Sequence, residues 1–111
     1  TNPSHFAVAL AYDPAKAPAP LVLAKGRGDK ALAMRELAAE LALPCLEYPA
    51  LARSVYFTTR ENQVIREELY AAVAGVLAFV LALKRGEPVE RPAIEVPVHL
   101  RFDAEGQLEV V

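Results

Sequence analysis

The feature that most constrains this fold is the stretch from Leu69 to Leu83, which carries no charge and is apolar nearly all round. It is shorter than the roughly 18 residues that a membrane-spanning helix needs, so it reads as a helix of a folded core. Glu67 and Glu68 precede it, Lys84 and Arg85 follow it, and Gly86 stops it; both charge pairs suit the helix dipole. A chain of 111 residues forms one domain with a modest core. So small a body cannot cover every apolar side of such a helix. An exposed apolar patch is therefore expected around Ala74 and Leu77, beside a proline-rich loop that presents Ala19 and Pro20.

The rest of the chain has to supply the cover. Residues 5–12 are almost continuously apolar and read as a strand covered on both faces. Residues 13–20 hold three prolines and form a stiff loop. A second short strand over 21–24 runs into Lys25-Gly-Arg-Gly28, with Asp29 as the N-cap of a helix over 30–43 that Pro44 ends. A third strand over 45–48 and a short helix over 50–56 follow. Strand, helix, strand in that order predicts a parallel pair with a right-handed crossover. Pro88, Pro92 and Pro97 mark an extended linker, and the alternation over 98–102 and 107–110 predicts a β-hairpin. The expected fold is α/β: a small mixed sheet flanked by helices, with residues 1–85 as the domain and 86–111 as a Pro-rich tail.

Charge and composition narrow the chemistry. Net charge is -2 and apolar residues make up 54% of the chain, which fits a folded domain and argues against nucleic acid as partner. Two histidines and the single Cys45 provide no metal-ligand spacing, so neither a metal nor a cofactor is expected. Cys45 reads as a buried, inert thiol. Arg53 reads as a solvated residue paired with a carboxylate, and His99 as solvent-facing. The glycines of the Lys25–Gly28 turn fit neither phosphate-loop pattern, so a tight turn between strand and helix explains them.

One site remains, at Thr1-Asn2-Pro3-Ser4-His5. Asn-Pro is ordinarily a turn. Pro3 has no N–H, so its nitrogen cannot attack the Asn2 side chain as happens in deamidation. The open route is the reverse one. The Asn2 side-chain amide attacks the Asn2 backbone carbonyl, closes a succinimide and expels Pro3. His5 is the side chain suited to carry the proton, two residues beyond the bond.

Asn-Pro-Ser-His resembles the Asn-Pro-Thr-His self-cleavage motif of the export-apparatus switch protein of type III secretion, the FlhB/YscU family. Further segments agree in order: Phe6 to Asp13, Ala19-Pro20-Leu-Val-Leu-Ala-Lys-Gly26, Leu51-Ala-Arg-Ser-Val-Tyr56 against Leu-Ala-Arg-Ala-Leu-Tyr, and Glu68 to Val80. The likeness covers Thr1 to about Lys84, with Ser4 in the usual threonine's place, and the tail after Arg85 matches none of its motifs. It implies the cytoplasmic domain of a membrane-embedded protein at the cytoplasmic face of the bacterial inner membrane, in a flagellar or injectisome system. Its implied partners are export-gate and ruler proteins and export substrates. Cleavage would be intramolecular and without turnover, switching the substrate class exported. Asn2 would be nucleophile and electrophile, Pro3 the leaving group, Ser4 the holder of the turn and His5 the proton carrier. The alternative is a docking module that does not cleave. In that family a strand before Asn-Pro holds the turn, and with only Thr1 ahead of Asn2 the expectation is slow cleavage or none.

Overall fold

The computed structural model describes residues 5–13 and 15–109. Strand β1 (Phe6–Ala11) and strand β2 (Leu21–Arg27) form an antiparallel pair. Helix α1 (Asp29–Glu40), helix α2 (Pro49–Thr58) and helix α3 (Tyr70–Lys84) follow, with 3-10 turns at Glu67–Leu69 and Val98–Leu100. The α/β class and the helices around a small sheet are as expected.

The sheet itself differs from expectation. Among the described residues it has two strands, and they run antiparallel. The third strand expected at 45–48 does not form, so there is no parallel crossover. Pro44 and Pro49 bracket that segment, and Pro49 already opens α2, which leaves four residues too few to reach β1. Cys45 is consequently exposed instead of buried. Helix α1 also stops early, because Ala42 turns left-handed at φ 54° and Leu43 N–H closes on Ala38 O at 2.8 Å. Within the strand pair a bulge falls opposite Ala9 and Leu10. It leaves Leu23 pointing outward at 51% exposure while Val22 is fully buried.

The core is one cluster drawn from β2, α2, α3 and the segments that follow them. Val22, Leu51, Val55, Ile65, Leu69 and Val73 are joined there by Val96 and Leu100 of the tail. Full burial of each such side chain contributes roughly 1.5–3 kcal/mol. An aromatic chain locks α2 to both ends of the molecule. Phe6 sits 5.0 Å from Tyr56 and 5.4 Å from Phe57, whose ring lies 5.7 Å from Phe102. Phe57 also lies over Gly106, where an added Cβ would approach to 2.8 Å at a backbone φ of +83°. The expected hairpin is reduced to a single bridge between Phe102 and Leu108, with Val98–Leu100 wound into a 3-10 turn.

Candidate functional site

Of the motif, Asn2, Pro3 and Ser4 lie outside the described residues. His5 is described and stands at the start of β1. Its carbonyl accepts a hydrogen bond from Gly28 N–H at 2.9 Å, which ties the motif's last residue to the turn that begins α1. The imidazole is half-buried, and its Nδ1 has no hydrogen-bond partner among the described residues. A buried ring nitrogen without a partner is costly to keep, and it is a competent proton acceptor when a substrate group reaches it. Beside it Phe6 is covered by the Arg27 guanidinium, 5.2 Å from the ring centre.

His5 opens onto an apolar groove of about 660 Å³. Its floor is β1, including Val8 and Leu10, and its far wall is α3, including Leu77. The other wall is the C-terminal half of α1 with the extended segment 43–48. Every residue of β1 is half-buried, short of the full cover expected, because the groove lies along the strand. The strand's backbone pairs only with β2 among the described residues, so its outer edge is open along the groove. Leu37, Leu41 and Leu43 project here at 52%, 59% and 55% exposure. These leucines sit in the last turn of the helix and beyond it, where no apolar segment among the described residues meets them.

The four expected docking residues are separated. Ala74 is exposed on the outer face of α3, whereas Leu77 is half-buried, packs on the core and borders the groove. Ala19 is only 3% exposed and Pro20 is buried, so neither belongs to an exposed patch. The cover comes from residues 62–65, which run back along the loop. Ile65 N–H donates to Pro20 O at 3.1 Å, Val22 and residues 62–63 exchange two more bonds, and Leu21 bridges Val64. Arg53 likewise turns inward. Its side chain is 20% exposed, donating to Phe102 O at 2.7 Å with Glu109 at 3.4 Å.

A small α/β domain of this arrangement is the form taken by the cytoplasmic domain of FlhB and the C-terminal domains of its relatives. The cytoplasmic domain of FlhB from Shewanella putrefaciens superposes with a TM-score of 0.80 at 39% identity, covering 88% of this chain and 81% of that one. The PscU C-terminal domain follows at 0.65 and 33% identity, covering 68% of this chain and 96% of that one. The FlhB HrpN YscU SpaS family matches residues 1–80, and this chain belongs to it. The flagellar biosynthetic protein FlhB of Yersinia enterocolitica is 48% identical over 111 residues, 95% of this chain, so the likeness reaches beyond Arg85. The secretion protein HrcU of Ralstonia nicotianae is 47% identical over 79 residues, 71% of this chain. The chain spans only 29% and 22% of those two proteins. No helix among the described residues is long and apolar enough to cross a membrane.

Proposed function

We propose that this chain is the substrate-specificity switch and docking domain of a flagellar or injectisome export apparatus, held at the cytoplasmic face of the inner membrane, and that it cuts itself between Asn2 and Pro3. The observation that carries the reading is His5, anchored at the start of β1 with Nδ1 free of any partner among the described residues. In the reaction the Asn2 side-chain nitrogen bonds to the Asn2 backbone carbonyl carbon, and the Asn2–Pro3 bond breaks. The proton lost by the amide passes through His5 to the departing Pro3 nitrogen. Ser4 holds the turn. No cofactor takes part, and each molecule reacts once.

The open edge of β1 favours the second reading, docking without cleavage. The likeness to the family implies a strand ahead of Asn-Pro that stiffens the turn, and the groove along β1 is a fitting bed for it, with apolar walls and unpaired backbone groups. Where that bed is empty the turn is loosely held and cleavage is slow, while gate and ruler proteins and export substrates still dock at Ala74 and Leu77, and at Ala19 and Pro20 once these are uncovered. Mass spectrometry of purified protein separates the two: a chain beginning at Pro3 marks cleavage. Its absence after prolonged incubation leaves the docking role alone.

A further inference from the structure

Among the described residues, 88–109 wrap the domain without joining its backbone. The tail sends apolar side chains deep into the body. Val96 and Leu100 are 3% and 4% exposed, in the same cluster as Ala19. Ile94 fills a notch on α3 that exists because residue 75 is glycine: an added Cβ would stand 3.1 Å from the Ile94 Cδ1. Yet among the described residues every backbone–backbone hydrogen bond of residues 88–109 stays within that segment. Three prolines remove N–H groups from it. What crosses from the body is side chains reaching tail carbonyls: Tyr48 hydroxyl to Pro92 O at 2.8 Å, Arg53 to Phe102 O at 2.7 Å, Arg27 to Ala104 O at 3.0 Å. In return Arg91 lies 4.4 Å over the Tyr48 ring and donates to Glu47 O. A segment integral to the fold would carry ladder or helix bonds to its neighbours. This one is bound as an extended peptide ligand is bound, by pockets for alternate side chains and by donors aimed at its carbonyls.

We propose that residues 91–104 are an exchangeable strap, an internal peptide ligand lying over the α3 face and the cluster that contains Ala19. An incoming export substrate with an extended, proline-bearing apolar segment displaces it to reach that face. The inference rests on the docking reading of the α3 face given above. Tethering supplies the strap at an effective concentration of order mM, so a free peptide meets a site already filled.

The test uses a fluorescein-labelled peptide copying residues 91–104 and the full chain. Ile94→Asp weakens the internal copy and leaves the site intact, so the peptide should bind that variant at least tenfold more tightly than the unaltered chain, with β1 and β2 amides still protected from exchange. Equal affinity for both chains, or binding to neither, overturns the strap. In a second form, a site-specific protease sequence replaces the exposed residues 87–90. After cutting, native mass spectrometry should show the fragment beginning at Arg91 leaving on dilution while β1 and β2 stay protected. A fragment that stays bound, or whose loss unfolds the strands, overturns the proposal. Peptide exchange reports the strap alone. A chain that exchanges its tail but binds no export substrate sinks the docking reading and leaves the strap standing.

Discussion

Ser54 offers a sharp quantitative test of the core. It lies on α2 between Leu51 and Val55, is fully buried, and its Oγ has no partner among the described residues. A hydroxyl stripped of water without a partner costs about 1–3 kcal/mol. Ser54→Ala removes that cost and adds about 0.5 kcal/mol of helix propensity. Against this stands the loss of one well-packed oxygen, a void too small for water, worth roughly 0.5 kcal/mol. The net expectation is a gain of about 1–3 kcal/mol. With a urea m-value of about 1.5 kcal/mol/M, the midpoint should rise by roughly 0.7 M or more at unchanged slope. Circular dichroism at 222 nm during urea titration is the assay. Thr58→Val is the control, since Thr58 Oγ1 does donate, at 2.6 Å, to the Ser54 carbonyl. That variant should lose about 1 kcal/mol. A Ser54→Ala midpoint at or below the parent's would mean that the hydroxyl is satisfied, and the reasoning fails.

Asn2→Ala should abolish any Pro3 N-terminus, and cleavage persisting in that variant excludes the succinimide route. Leu77→Asp should cost about 1–3 kcal/mol in chemical denaturation, since the residue packs on the core, whereas Ala74→Asp should stay within about 0.5 kcal/mol; the second variant is therefore the cleaner probe of docking. Gly106→Ala forces a Cβ against Phe57 at positive φ and should lower the melting temperature by several degrees, with a loss of about 1 kcal/mol or more; an unchanged melting curve would place the aromatic contact elsewhere. Glu61 titrates below the usual carboxylate range because Lys25 N–H donates to it and Lys30 lies beside it. A depressed folded value means its stabilising contribution is present above the unfolded pKa and is lost as pH falls through the folded one. Glu61→Gln should flatten that acid limb slightly, as expected of an exposed pair, and an identical acid limb would show that the contact carries nothing.

What the sequence disclosed and what it hid divide along the range of the interactions. Helix α3 was legible because an uncharged run framed by acids and bases has one local solution. The start of β2 was legible too, but the strand runs on through Lys25, Gly26 and Arg27, which had read as a turn and instead pair with Val8, Ala7 and Phe6. The antiparallel pairing was not legible, since strand, helix and strand in order suggested a crossover that four residues between Pro44 and Pro49 cannot complete. Burial of Ala19 and Pro20 depends on residues 62–65, more than forty positions away and unremarkable in composition; local polarity gives no hint that they fold back. The tail's role escaped for the same reason. Its alternation over 98–102 looked like a strand, while the decisive partners were Gly75, Tyr48 and Arg53. At the candidate site, the motif suggests its chemistry from five residues, of which the structure describes His5. The groove beside it arises from an unmet strand edge and unmet leucines, which no single segment contains.

The open edge of β1 also bears on how the protein behaves in the test tube. Phe6 to Ala11 contains no charge and no proline, the two devices by which exposed strands usually discourage copies of themselves from adding on. Among the described residues one side of that strand is committed to β2 and the other offers hydrogen bonds beside an oily trough. At high protein concentration two molecules can satisfy each other there, edge to edge, and a third can follow if the register stays straight. The bulge between Ala9 and Leu10 works against a long flat stack by twisting the pair midway. Colloidal stability should therefore fall with concentration faster than the net charge alone would dictate.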